Sequence, residues 1–380
     1  MDAVVDKKPE RFLSLDVFRG LTIALMIVVN TPGTGASIYG CLIHAQWFGF
    51  TLADLVFPSF LFAVGNSLSF SMLKMKQAPS HEVWFKIIKR TIIIFLLGYL
   101  MYWFPFFKIG ETGALVLKPL SETRVMGVLQ RIALCYFFVS VIFYYLSEKA
   151  ALILSVFILI GYWLILCLFG EAGSQLEMAT NAVGKFDLSV LGMGHIYKRD
   201  SIPFDPEGIL STLPAIVNVV LGYLAGIFIQ KKGKSIEGIA KLLMAGFILA
   251  STALWWDLVF PISKKLWTSP FVLYTVGLDL SIMGVLIYLI ELRKIKFGVL
   301  FFDVFGKNPL LIYLFSELFY ITLSLIPVQG ELNVFEWVSE IIFQRIAPGS
   351  LGSLLTAIVY VLICWLLGYV LYKRKVYVKI

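Results

Sequence analysis

One pattern recurs from end to end of this chain: apolar runs near twenty residues long, separated by short polar stretches. Each run can cross a hydrocarbon core about 30 Å thick. Composition agrees. Charged residues make up 15% and hydrophobic residues 59% of 380, whereas soluble domains carry roughly a quarter charged residues. Spanning backbone must satisfy its own hydrogen bonds, so the runs read as helices. The expected architecture is an all-α polytopic membrane protein, residues 1–380 forming one transmembrane domain. About ten spans are expected, near 16–33, 51–73, 88–105, 125–146, 150–169, 209–230, 237–256, 270–291, 308–326 and 351–372. No secretory apolar segment precedes Arg11, so no cleaved signal is expected.

The charges follow the spans. Loops on the N-terminal side, with their adjacent helix ends, hold 22 of the 32 Lys and Arg residues, the opposite loops hold nine, and Arg131 lies inside a span. The positive-inside rule then puts both termini in the cytoplasm. The net charge of +8 is a cationic collar facing anionic lipid and calls for no nucleic-acid partner. A homo-oligomer is compatible with the chain but not specified by it. This orientation places His44 outside, along with a long polar stretch at 170–208 suited to capping an outward cavity. "DLVFP" occurs at 54–58 and again at 257–261, too short an echo to make a repeat. The four cysteines imply no disulfide framework. No zinc spacing, Walker loop or dinucleotide fingerprint occurs, so no metal is expected, and ATP-driven pumping and dinucleotide chemistry lose support.

Polar residues in or near the bilayer are costly and therefore informative. Asp16 and Arg19 stand at i and i+3, an inner-interface ion pair or a holder of an anionic ligand. Asn30 ends the first span as a helix cap before Pro32, or as a functional amide. Asp54 opens the second span, where an acid complements the helix dipole. Arg131 sits about two turns inside its span and calls for an anionic partner. Asp279 and Glu317 are candidates, or else protonated carboxyls bonded between helices. Of three histidines, His44 is the candidate: Trp47 lies three residues on and Asp54 ten residues on, and Asn30 ends the preceding span. A neutral imidazole with a partner that fixes its tautomer makes a general base.

The stretch "HAQWFGFTLADLVFPSFLFAVG" resembles the signature of the heparan-alpha-glucosaminide N-acetyltransferase family. "LSLDVFRGLTIALMIVVN", "RVMGVLQRIALCYF", "FDPEGILSTLPAIVN", "KKLWTSPFV" and "GKNPLLIYLFSELF" resemble further blocks of that family in the same order, covering most of 11–320. The resemblance implies a membrane enzyme that moves acetyl from acetyl-CoA to the amine of a glucosamine unit. It puts the active-site histidine on His44, the helix-ending asparagine on Asn30 and the block aspartate on Asp54. Asn30 is then suited to the tetrahedral oxyanion, and Trp47 offers a flat face to a sugar ring. Gln130, Arg131 and Glu317 fall to the acceptor side, or simply hold helices together. Acetyl-CoA must enter the bundle from the cytoplasm, so Arg19, Lys307 and Asn308 are candidates for its phosphates by position. Acetyl passes directly to the sugar or rests first on His44. "TPGTGASIYGCLI", between Asn30 and His44, is a few residues longer than in the lysosomal branch, whose lumenal domain and extra N-terminal span find no counterpart here. A compact form in a bacterial inner membrane is expected. Two rival readings stay open: an amino-sugar transporter, weakened by the lack of a repeat, and a cell-wall sugar O-acetyltransferase.

Overall fold

The computed structural model describes residues 12–110, 113–198 and 202–378. Lys7, Lys8, Arg11 and Lys379 of the cationic collar lie outside the described residues. The long helices are α1 (Leu13–Asn30), α2 (Leu52–Met75), α3 (Ser80–Trp103), α4 (Val128–Tyr145) and α5 (Glu148–Phe169). A ten-residue α6 (Ala182–Leu191) follows, then α7 (Thr212–Lys232), α8 (Ile236–Asp257), α9 (Ser269–Leu286), α10 (Val299–Lys307) and α11 (Pro309–Leu325). Short α12 (Val334–Trp337) and α13 (Gln344–Ile346) lead to α14 (Ser350–Lys373). The described strands form two small hairpins: β1 (Phe107–Ile109) with β2 (Leu115–Leu117), and β3 (Pro327–Gln329) with β4 (Leu332–Asn333).

Among the described residues, eight helices are long and apolar enough to cross a membrane. Helices α10 and α11 make a ninth if taken as one span, bent by 86° at Asn308–Pro309. The break has a local cause, since a residue before proline is pushed out of the helical region. Asn308 accordingly sits at φ −131°, ψ 51°. The expected span at 88–105 belongs to α3, which has 24 residues but carries Lys86, Lys89 and Arg90 in its first half. Its length suits a crossing, and its cations belong at a membrane surface. The all-α polytopic expectation holds. The ten-span count becomes eight or nine by apolarity, with α3 a span by length alone.

Helices α2 and α7 form the middle of the bundle, 78% and 72% of their span windows being buried, whereas α5 and α8 bury only 22% and 28%. Small residues bring the central helices close, as lipid-embedded packing requires. A Cβ on Gly65 would strike the Val219 carbonyl, and one on Gly222 the Phe62 carbonyl. Gly20 and Gly306 do the same for α1 against α10. Helix α1 has no side-chain cap of its own. The buried Glu291, in the π-helical turn after α9, accepts from Ser14 N at 3.1 Å and Ser14 Oγ at 3.2 Å, satisfying a donor the helix start leaves open.

Gly222→Leu should force α2 and α7 apart at the centre. Overpacking of this kind costs about 1–3 kcal/mol, so thermal unfolding in detergent should begin several degrees lower. An unchanged midpoint would show that this crossing is not tight.

Candidate active site

The site grows from the loop between α1 and α2. Helix α1 closes through Thr31, whose N–H and hydroxyl both donate to the Ile27 carbonyl at 3.0 and 2.8 Å. Thr31, not the Asn30 side chain, therefore closes the helix. Asn30 Nδ2 instead donates to Glu317 Oε1 of α11 at 2.9 Å. The chain then returns to α2, where Asp54 is fully buried in the first turn. Its Oδ1 lies 2.9 Å from His44 Nδ1. Its Oδ2 accepts from Ala45 N at 3.1 Å, Thr51 N at 3.0 Å and Thr51 Oγ1 at 3.1 Å. One carboxylate thus folds the whole 44–51 turn around itself. A carboxylate only accepts, so His44 Nδ1 carries a proton, and it is Nε2 that holds the lone pair in the neutral ring. The His44 side chain is 42% exposed, so this lone pair is accessible from the cavity beside it.

A second loop, between α8 and α9, docks on the first. Gly49 N donates to Ile262 O at 2.8 Å, and Ser263 Oγ to Trp47 O at 2.6 Å. Asp257, from the second "DLVFP", accepts from Ile262 N at 2.6 Å and so shapes this loop much as Asp54 shapes the first. The docking brings Lys264 Nζ to 3.0 Å from His44 Nε2 and 3.1 Å from Nδ1. Burial holds the Lys264 ammonium below the ordinary lysine range, although Glu207 and Asp54 pull the other way.

His44 and Lys264 open on a cavity of about 800 Å³, walled also by Asn30, Arg124, Glu207 and Glu317. A smaller hollow of about 110 Å³ shares Asn30, His44, Glu207 and Lys264 and reaches inward to Met26 and Phe57. The 170–208 stretch contributes Ile196, Tyr197 and Lys198 to the wall, as a cap would. An ionic cluster fixes the far side. Arg124 Nη2 meets Asp205 Oδ1 at 2.5 Å and Glu207 Oε2 at 2.6 Å, and Nε meets Asp205 Oδ2 at 3.0 Å. The guanidinium also lies 5.1 Å from the Tyr102 ring and 4.7 Å from the Tyr197 ring. Burial works against its charge, but Tyr102, Asp205 and Glu207 hold its pKa well above the usual range. Burial likewise opposes the charge of Glu207, and Arg124, Arg131 and Lys264 overcome it, holding the carboxyl below its usual value. Asp187, on α6, accepts from Ile209 N and Leu210 N at 3.0 and 3.1 Å, and burial pushes its carboxyl up to about 6.

Several expected site residues lie elsewhere. Arg131 is fully buried, but its hydrogen-bond partners are neutral: the Gly208 carbonyl at 3.1 Å and the Ser211 hydroxyl. Its guanidinium sits 4.7 Å from the Trp267 ring. The anionic partner sought for it among Asp279 and Glu317 is not there, because the 208–211 turn reaches down to meet it. Asp279 instead takes a 2.5 Å hydrogen bond from Ser59. Gln130 is buried, away from the cavity wall. Trp47 donates its indole N–H to Leu176 O at 2.8 Å and packs edge-on against Phe204 at 5.1 Å, so it anchors the 170–180 segment and does not line the cavity.

At the opposite end of α1, Arg19 pairs with Asp16 at 2.9 Å, the i, i+3 pair expected. Lys307 joins Asp16 at 2.5 Å and Asp303 at 3.1 Å. Asn308 holds the C-terminal tail through Val376 O and Val378 N, both at 2.9 Å. Of these three, Arg19 alone lines a cavity of about 340 Å³ between α1 and α2, with Asp16 and Asn66. Sequence reasoning missed Lys264, Arg124, Asp205 and Glu207. The one available signal was opposite charge on one face: "SETRVMG" beside "FDPEG", and "KK" at 264–265.

An all-α membrane bundle with a histidine–aspartate pair at the mouth of a charged, aromatic-walled cavity is the class of protein that fold and site define. Residues 11–254 match the family model described as heparan-alpha-glucosaminide N-acetyltransferase, catalytic, and the chain belongs to that family. It is 28% identical over 427 aligned residues to the Homo sapiens heparan-alpha-glucosaminide N-acetyltransferase, with 98% of this chain and 60% of that protein covered. The Mus musculus protein of the same name is 27% identical, with 97% and 60% covered. The chain therefore spans about 60% of the length of these relatives.

Arg124→Met would leave Asp205 buried without its cation. Removing one partner of a buried ion pair costs about 3–5 kcal/mol, so the variant should melt well below the parent and expose the 195–207 segment to protease. Parental melting and cleavage would mean that the cluster does not hold this wall.

Proposed function

We propose that this chain is an acetyl-CoA-dependent N-acetyltransferase whose acceptor is glucosamine or a glucosamine-containing sugar, with His44 as general base. The observation that carries the reading is the His44–Asp54 pair, 2.9 Å apart, with His44 on the wall of the cavity of about 800 Å³. An ammonium is no nucleophile until it loses a proton, and a positioned imidazole can take it. Asp54 fixes the tautomer that makes this possible. Carboxylates of Glu317 and Glu207, which line the same cavity, suit an ammonium-bearing sugar. The Asn30 amide, aimed into the cavity by its bond to Glu317, is placed to meet an oxyanion once that bond is exchanged.

Acetyl-CoA reaches this site from the cytoplasmic side. Support comes from the two hollows on the α1–α2 groove. The inner one is lined by α1 up to Arg19 and by α2 from Ala63, and the outer one by α1 from Met26 and by α2 up to Phe57. Met26 lies seven positions beyond Arg19 on α1, about 10 Å of helix. A slender pantetheine arm can bridge that gap if the groove breathes, while its phosphates stay near Arg19. Acetyl then moves to the sugar directly in a ternary complex. The cationic collar supports cytoplasmic termini, and His44 would then face the periplasm of a bacterial inner membrane.

Two measurements test this reading. Right-side-out vesicles loaded with acetyl-CoA should acetylate externally added glucosamine, with thiol accumulating inside and product outside. A sugar that must first enter the vesicle would overturn the sidedness. A protein that moves the sugar and releases no thiol would be a transporter. Arg19→Ala should raise the apparent KM for acetyl-CoA and leave that for sugar nearly unchanged, and Glu317→Gln should do the reverse.

The second test is chemical. His44→Ala and Asp54→Asn should each lower kcat at least about a hundredfold, with folding checked by size-exclusion profile. Asp54→Asn presents an amide where a carboxylate is required, so it disturbs the tautomer as well as the turn. Activity within a few-fold of wild type in His44→Ala would end the case for His44.

A further inference from the structure

The loop between α8 and α9 delivers a primary amine to the base. Asp54 engages the Nδ1 proton of His44, and Lys264 Nζ stands against the same ring, 3.0 Å from Nε2 and 3.1 Å from Nδ1. An acceptor ammonium needs that same position in order to give up its proton. Lys264 is held there by its loop: Trp267 N donates to Lys264 O at 3.1 Å, and Ser263 is tied to Trp47 O at 2.6 Å. Among the described residues no carboxylate forms an ion pair with Nζ. The amine lines both the large cavity and the small inward hollow, where the thioester of an arm arriving along α1 and α2 would emerge. Lys198 and Lys265 also line the large cavity, but neither lines the small hollow, and Lys264 is the lysine in hydrogen-bond contact with His44. Burial favours the neutral, nucleophilic form of Lys264 over that of an ordinary lysine.

We propose that Lys264 is a self-acetylation site: with acetyl-CoA present and no sugar bound, His44 deprotonates Nζ and the amine takes the acetyl group. The inference rests on acetyl-CoA being the donor, as proposed above. In the step, Nζ attacks the thioester carbonyl, the N–C bond forms and the C–S bond breaks. An ammonium has two protons to lose: the one His44 takes passes to the departing sulfur, and the second leaves the new amide nitrogen for water, so the products are N-ε-acetyllysine, free CoA thiol and one released proton, and no other reactant is consumed. An amide does not hand its acetyl group on as a thioester does, so the modification happens once per chain. It also removes an ammonium from the imidazole. Sugar occupying the cavity competes with it, and scarcity of sugar promotes it.

The test uses the full chain, purified in detergent and incubated with acetyl-CoA carrying an isotopically labelled acetyl group. Digestion and tandem mass spectrometry then locate the label, and the same preparation is assayed for glucosamine acetylation. Label on Lys264 should approach one acetyl per chain, fall several-fold when glucosamine is present, and fall to background in His44→Ala and in His44→Gln. Lys264→Arg should carry no label at that position. A preparation that acetylates glucosamine but leaves Lys264 unlabelled would overturn the inference and leave the proposed function standing. Equal labelling with and without His44, in variants that elute as folded protein, would reduce it to ordinary chemical acetylation and also overturn it. Protection by glucosamine is read on the wild type, so it decides the matter even if the histidine variants misfold; no protection counts against the inference. A preparation that acetylates neither sugar nor lysine would overturn both readings together.

Discussion

The end of the bundle that carries His44 is organised around one buried carboxylate. Asp54 stands in the first turn of α2, where the helix dipole favours an anion. That alone would explain an acid there, and would leave it facing any available amide. Here it takes donors from Ala45, from both groups of Thr51, and from His44. The same atoms that close the 44–51 turn therefore orient the imidazole. The turn in turn presents Trp47 O to Ser263 and Gly49 N to Ile262, the contacts on which the Lys264 loop rests. Structure and chemistry at this end share one anchor, and a change there cannot touch one without the other.

The opposite wall is built by charge. The segments there are too polar to pack like lipid-facing helices, and they hold together through Arg124, Asp205 and Glu207. Arg131 and Asp187 fasten the same 205–211 segment from beneath, one through the Gly208 carbonyl and one through the amides of Ile209 and Leu210. Such a cluster is expensive to assemble, since every charge gives up water. It persists because each member is answered several times over. The result is a wall that keeps Glu207 at the boundary of both hollows.

Spans were legible because twenty apolar residues have few other fates. α3 was the weak case, since its cations fall within its own helix. The His44–Asp54 pair was legible because ten residues separate its members, within one stretch that resembles a known signature. The rest of the site was not, because its partners are remote in sequence: 220 residues from His44 to Lys264, 287 from Asn30 to Glu317, 81 from Arg124 to Asp205. Nothing in local periodicity encodes such meetings; loop docking does. The error over Arg131 has the same origin. Its depth called for an anion within the spans, but a dipping turn with a bare carbonyl and a Trp267 ring supply its contacts, and the anions that act on it, Glu207 and Asp205, stand in that same outlying segment. Trp47 was misplaced because its indole N–H, once partly buried, needs an acceptor and finds Leu176 O.

The position of the charges also bears on the proposed route of the donor. An isolated charge at the centre of a span costs about 2.5–3.5 kcal/mol even by insertion scales. Accordingly His44, Asp54 and Lys264 lie at one rim of the bundle, and Asp16, Arg19 and Lys307 lie at the other. Between them α1 and α2 carry residues such as Ile23, Phe60 and Leu61, all buried and apolar. A charged sugar or a nucleotide phosphate would meet a barrier there that neither rim compensates. The neutral part of a thioester donor would not, because an amide-bearing chain loses far less on leaving water than an ion does. Two charged substrates can therefore meet across this bundle only if each stays at its own rim and an uncharged arm makes the crossing.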